Sequence, residues 1–152
     1  MTLSIATTLQ ASIQRAPRLS REEELALFAA SRRGDDRAGA RLVLSHLRFV
    51  LHIAKRYRQF GCPIPELLQE GTVGLIEAIR RFNPDRGVRL STYAMWWIRA
   101  AIQDYVVRSR SLVRIGTTAT QKSRFFALCR RMAGMGGARP FDAAPLREDI
   151  AR

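Results

Sequence analysis

The stretch STYAMWWIRAAIQDYV (Ser91–Val106) holds both tryptophans of the chain side by side, with Arg89 shortly before them and Arg99 shortly after. At helical spacing Tyr93 and Trp97 are i, i+4 neighbours, and Trp96, Arg99, Ala100 and Gln103 share an adjacent stripe. Successive tryptophans on a helix point about 100° apart, so burying both needs an unusually wide apolar face. At least one is therefore expected to stay open for contact. An aromatic ring stacks on or wedges beside a flat partner, a guanidinium grips phosphate, and an amide reaches a base edge; together these suit a nucleic acid.

Other candidate chemistries fall away. Glu66, Glu70 and Glu77 could act as paired carboxylates, with Glu70 and Glu77 on one helix face. No Gly-rich phosphate loop, metal set or nucleophile triad accompanies them, so the chain reads as a binding protein and not an enzyme. His46 and His52 lie six apart, off the i, i+4 spacing of a helical metal pair. Cys62 and Cys129 form no CxxC pattern and read as reduced thiols of a cytoplasmic protein. No cofactor and no metal are expected.

Charge agrees with a polyanionic partner. The chain has 152 residues, 47% of them hydrophobic, and a formal net charge of +13. More than half of that excess lies between His46 and Arg114. Charge alone fits either nucleic acid or an anionic membrane surface, but no apolar run is long enough to span a bilayer. The first 21 residues lack acids until the helix that follows them, and 1–18 read as a flexible tail, although the composition weakly resembles a transit peptide.

The elements that must position these residues are helical throughout. Ser20 and Glu23 form a capping box before one helix, which Gly34-Asp35-Asp36 ends. A second helix is expected from about Asp36 to Phe60, with Leu47, Val50, Leu51 and Ala54 on its apolar face. After the turn Gly61-Cys62-Pro63-Ile64-Pro65, a third runs from about Pro65 to Phe82 with a buried stripe of Leu68, Leu75, Ile76 and Ile79. Asn83 to Gly87 is dense in turn residues, and Ser91 is a plausible cap for a fourth helix reaching about Ser109. Val88 to Tyr93 alternates in polarity but stands alone as a strand signal. A loop at Ile115–Thr118, a short helix at Ala119–Met132, a linker at Met132–Gly137 and a last helix at Ala143–Arg152 complete the chain. The fold class is all-α: a compact helical bundle over 19–115 and a C-terminal helical extension over 116–152.

LLQEGTVGLIEAIRRFNPDRGVRLSTYAMWWIRAAI (Leu67–Ile102) closely resembles the second conserved region of bacterial sigma-70 family sigma factors, and LSHLRFVLHIAKRY (Leu44–Tyr57) resembles the first part of that region. TTATQKSRFFALCRR (Thr117–Arg131) resembles a segment typical of the heat-shock subgroup. The resemblance implies a promoter-specificity subunit that binds core RNA polymerase and recognises and melts the −10 element. It implies that Glu66, Gln69, Glu70, Thr72 and Ile76 dock on the coiled coil of the largest polymerase subunit. The clustering of Glu66, Gln69 and Glu70 in an otherwise basic protein suits a basic helical partner. The resemblance further implies that Tyr93 captures a flipped non-template adenine and that Trp96 and Trp97 wedge at the upstream edge of the bubble. Arg86, Arg89 and Arg99 would lie near the non-template strand, and Thr92, Ala100 and Gln103 complete the DNA-binding set.

Departures from the family pattern carry information too. Housekeeping members read the upstream −10 base pair with Gln and Thr one turn apart, where this chain has Ala100 and Gln103. The usual Asp and Asn of the docking helix are Glu66 and Thr72, and a frequent aromatic before the tyrosine is Val88. Family members continue to a helix-turn-helix that reads the −35 element. This chain ends at Arg152, within PLREDIAR, so as a fragment or a natural truncation it is not expected to read that element alone. Alternatives are a truncated sigma that competes for core polymerase, and a basic DNA-binding fragment without sequence preference. Regulation by chaperones or proteases is implied by the heat-shock resemblance only.

Overall fold

The computed structural model describes residues 11–110 and 118–132, and the chain divides into two compact units, 1–105 and 106–152. Every described element is helical, with no strand among the described residues: α1 (11–15), α2 (Arg21–Arg32), α3 (Asp36–Arg56), α4 (Ile64–Arg81), α5 (Leu90–Arg110) and α6 (Ala119–Met132). The first unit holds α1 to α4 and most of α5. The second holds the end of α5 and α6, in which Phe126 is buried and meets Phe125 edge to face. The loop expected at Ile115–Thr118 falls outside the described residues except for Thr118, as do the linker beyond Met132 and the helix expected at Ala143–Arg152.

Local chemistry sets the helix starts. Ser20 and Glu23 exchange two bonds, Glu23 N–H to Ser20 Oγ at 3.2 Å and Ser20 N–H to the Glu23 carboxylate at 2.8 Å, which is the expected capping box. The Ser20 backbone N–H, then its hydroxyl, hold the Glu23 carboxyl below the usual carboxylate range. Asp35 Oδ1 accepts from the Arg37 and Ala38 N–H groups and opens α3. That helix stops at Arg56, earlier than expected, because Arg58–Phe60 tightens into a 3₁₀ turn that Gly61 closes at φ 75°. Proline at Pro63 and Pro65 brackets the start of α4.

The core of the first unit is built from α3, which packs on both α2 and α4, and from α5. Leu42, Val50 and Ala54 of α3, Leu67, Leu75 and Ala78 of α4, and Leu90, Ala94, Ile98 and Ile102 of α5 are all fully buried. Each such leucine or isoleucine contributes roughly 1.5–3 kcal/mol by leaving water. The α5 set recurs every four residues, so one face of that helix is consumed by the core and the opposite arc is released. Arg48 Nη2 donates to Ala16 O at 3.0 Å, and Ile13 is buried, so residues 11–16 lie against α3.

Several expectations need correction. Leu47 is only half-buried, and the inward position beside it belongs to His46, because the α3 stripe runs through Leu42, His46, Val50 and Ile53. Ile76 is 37% exposed and lies outside the α4 stripe, which uses Leu67, Leu68, Gly71, Leu75, Ala78 and Ile79. Ser91 does not cap α5: the helix begins at Leu90, and the Thr92 and Tyr93 N–H groups bond to Arg89 O. The alternation from Val88 to Tyr93 is the entry of the chain into this helix.

Two glycines let α4 approach its neighbours. A methyl group at Gly71 would lie 2.6 Å from Val50 Cγ1, and one at Gly74 would lie 2.5 Å from the backbone oxygen of Trp97. The second clash is with backbone and has no rotamer to relieve it. Gly74→Ala is expected to destabilise the protein by about 1–3 kcal/mol through overpacking, although alanine is the better helix former by about 1 kcal/mol. Urea denaturation would show a lowered midpoint; a midpoint equal to or above wild type would contradict this packing.

Candidate nucleic-acid interface

The arc of α5 turned from the core carries Thr92, Tyr93, Trp96, Trp97, Arg99, Ala100 and Gln103. Thr92 is exposed and the other six are half-buried. Arg86, in the 3₁₀ turn Pro84–Arg86, and Arg89 are exposed just before the helix. The structure thus brings the sequence-derived set to one helix face and its approach. Both tryptophans are partly open, where the sequence required it of at least one.

An aromatic chain supports this face from below. Phe28 of α2 meets Phe82 edge to face, with centroids 5.4 Å apart. Phe82 meets Tyr93 at 5.7 Å, and Tyr93 meets Trp97 at 6.3 Å, both tilted. Each contact falls in the range where aromatic pairs add about 0.5–1.5 kcal/mol beyond burial. Guanidinium groups sit at both ends: Arg32 lies over Phe28 at 5.2 Å while donating to Phe82 O, and Arg81 lies over Trp97 at 4.8 Å. The Trp97 Nε1–H is buried and makes no hydrogen bond, a cost of about 1–3 kcal/mol offset by this packing. Trp96 takes no part in this run of aromatic contacts among the described residues.

Gln103 is not simply a free reader. Its Nε2 donates to Tyr57 Oη at 3.1 Å, which leaves the second N–H and the amide oxygen for other contacts. Burial raises the Tyr57 phenol above its ordinary range, partly opposed by the Gln103 hydrogen bond.

On α4 the expected docking residues separate into a stripe and a remainder. Glu66 and Gln69 are exposed, Glu70 is half-buried, and Ile76 is exposed. With Val73, 55% exposed, they recur at three- and four-residue steps along one face. That apolar-polar seam has the period with which one helix meets another. Val73 escaped the sequence reading; its signal was an apolar residue midway between Gln69 and Ile76. Thr72 stands aside, because its hydroxyl donates back to Leu68 O at 2.7 Å. Glu66 accepts a hydrogen bond from Tyr105 Oη of α5, and this bond first of all pushes the Tyr105 phenol up to about 12. Glu77 leaves the acid cluster to pair with Arg80 and Arg81.

Glu24 was also missed. It lies in a run of three glutamates whose sequence position suggests only a dipole-complementing first turn. Yet it is 4% exposed, its Oε1 accepts from Leu90 N–H at 3.2 Å, and its Oε2 accepts from Arg89 Nη2 at 3.1 Å. His46 Nε2 stands 3.6 Å from the same carboxylate, while its Nδ1–H donates to Leu42 O at 2.8 Å. No group of His, Cys, Asp and Glu among the described residues could hold a metal ion, and no described helix is long and apolar enough to cross a membrane.

The sequence is similar to those of known proteins. Residues 42–112 match the family described as sigma-70 region 2. The RNA polymerase sigma factor RpoH of Zymomonas mobilis is 47% identical over 136 residues, covering 89% of this chain and 45% of that protein. RpoH of Caulobacter vibrioides is 46% identical over 134 residues, with 88% and 45% coverage. The RNA polymerase sigma-C factor of Myxococcus xanthus is 40% identical over 151 residues, with 96% and 50% coverage. The chain thus spans about half the length of the curated relatives it matches. The α4 and α5 faces lie within the matched region, and the chain belongs to the sigma-70 family of sigma factors, in the heat-shock subgroup typified by RpoH.

Proposed function

We propose that this chain acts as a sigma-type binding subunit that docks on core RNA polymerase through α4 and opens promoter DNA through α5. The observation that carries the reading is the adjacency of two unlike faces. An acidic and apolar seam on α4 lies next to an aromatic and basic face on α5, and the helices meet where Gly74 reaches the Trp97 carbonyl. The seam of Glu66, Gln69, Glu70, Val73 and Ile76 suits a basic coiled coil of the largest polymerase subunit.

On α5, Trp96 and Trp97 serve as wedge and platform at the upstream edge of the −10 bubble, and Tyr93 takes a flipped base of the non-template strand. Arg86, Arg89 and Arg99 neutralise phosphates of that strand. Stacking contributes about 1–3 kcal/mol per base, and extruding a base costs a few kcal/mol. One or two stacks with phosphate contacts therefore nearly balance the opening of an A·T-rich step, and the polymerase supplies the rest. Ala100 and Gln103 change how the upstream base pair of the element is read. The Tyr57 bond takes one of the two Gln103 amide N–H groups and orients the amide, so Gln103 presents its remaining N–H and its carbonyl oxygen to the DNA. Regulation by chaperones or proteases belongs to this reading through the RpoH likeness.

Two outcomes are expected. Trp96→Ala is expected to reduce open-complex formation about tenfold or more, the loss of one stack, with core affinity nearly unchanged. Permanganate footprinting beside a core-binding assay measures both; equal losses in the two would remove the wedge role. Gln69→Ala is expected to weaken core affinity several-fold, by anisotropy of the labelled chain, without shifting the thermal midpoint. Unchanged affinity would argue against the α4 seam as the docking face.

A further inference from the structure

We infer that Glu24 is a positioning residue for strand opening: from α2 it caps the first turn of α5 and fixes the Arg89 guanidinium at the edge of the DNA-facing arc. This inference rests on the reading of α5 as the DNA-engaging helix.

A helix start leaves backbone N–H groups without partners, normally met by a side chain just before the helix. At α5 the expected local cap, Ser91, lies inside the helix, and the Leu90 N–H turns instead to Glu24 Oε1, 66 positions earlier in the chain. Leu90 is itself fully buried, so water cannot take over that role. The other carboxylate oxygen, Oε2, holds Arg89 Nη2. Arg89 has a side chain 46% exposed while that of Glu24 is 5% exposed. The pair thus has a buried anchor and an open end. One guanidinium edge is tied to the anchor, and the opposite edge is left for phosphate, with its direction set by the fork geometry of the pair.

The two-pronged arrangement constrains two things at once. The Leu90 bond fixes where α5 begins, and hence the rotation of Tyr93, Trp96 and Trp97 about its axis. The Arg89 bond fixes the side chain that leads into that face. A buried carboxylate is costly unless its acceptors are filled, so loss of either partner perturbs both. His46 Nε2, facing the same carboxylate at 3.6 Å, closes the third side. Packing alone does not call for a carboxylate there, since an apolar side chain could fill the same space without the desolvation penalty.

The test compares Glu24→Gln, Arg89→Met and the double variant, each assembled with core polymerase. The probe is a fluorescent single strand carrying the non-template −10 sequence of a promoter that the wild-type assembly opens. Glutamine keeps the Leu90 acceptor and the side-chain size but loses the ionic hold on Arg89. Glu24→Gln is expected to weaken strand binding about tenfold, the worth of one charge-assisted hydrogen bond, with core affinity within about twofold of wild type. In the Arg89→Met background the same change is expected to add nothing, because Glu24 acts through Arg89. Unchanged strand binding, additive losses in the double variant, or a core-affinity loss as large as the strand loss would each overturn the inference. Should Glu24→Gln fail to fold, Glu24→Asp, which keeps the charge but is one methylene too short to reach Arg89 and Leu90 together, enters the same cycle, with a loss of strand binding expected that is absent in the Arg89→Met background. A wild-type assembly that does not prefer the non-template strand over its complement would instead defeat the proposed function itself.

Discussion

The backbone of α4 at Gly74 comes so close to the backbone of α5 at Trp97 that a single methyl group would not fit between them. Helices usually stand apart by the length of their side chains, about 8–10 Å between axes. Here one residue without a side chain removes that spacer, with Gly71 doing the same one turn earlier against Val50 and Ile102. The tryptophan at this contact is consequently pinned by its own main chain, and its ring lies beside the Arg81 guanidinium. Geometry then gives the two helices two unlike faces. The α4 face beside the contact carries the acidic and apolar seam, and the α5 arc turned from the core carries the aromatics and arginines.

Polar ties fix rotation where apolar packing alone would tolerate slippage. Glu24 holds the beginning of α5 from α2, Tyr57 holds Gln103 in its middle from the end of α3, and Tyr105 reaches from α5 to Glu66 at the start of α4. Their burial differs and so does their weight. Glu24 is sealed from solvent, so its bonds cannot be exchanged for water and the site is intolerant of a missing partner. The Tyr105 bond lies near solvent and is correspondingly exchangeable. Two of the three tie a residue of the α5 arc or its approach to another helix, which makes that arc a pre-set surface. Pre-set contacts cost less ordering on binding.

The parts of this arrangement legible in the sequence are those governed by local rules. The capping box at Ser20 and Glu23, the break at Gly34-Asp35-Asp36, and the aromatic-basic periodicity of α5 depend on neighbours within a few residues. The inward faces are less legible. A helix with apolar residues all round offers several stripes, and only packing chooses His46 over Leu47 on α3 and turns Ile76 outward on α4. Remote caps are not legible at all: nothing near Ser91 says that Leu90 will be capped by a glutamate on another helix. The hydrogen bond that engages Gln103 is hidden for the same reason, since Tyr57 lies 46 positions away. The glycine contact is an intermediate case. Two glycines three apart in a helix are visible as a weakness in helix propensity, but their use as a seat for α5 emerges only in three dimensions.

If α5 is built for strand opening, the charge of this chain serves strand-selective engagement of DNA and not general adhesion to polyanions. The most direct measurement is the affinity of the chain assembled with core polymerase for the two separate strands of a −10 element, at low and at moderate salt. A clear preference for the non-template strand that persists at moderate salt is predicted, because stacking on Tyr93 and Trp96 is insensitive to counterions. Equal affinity for both strands, falling steeply and in parallel with salt, would contradict it and leave a basic fragment that binds through phosphate contacts alone.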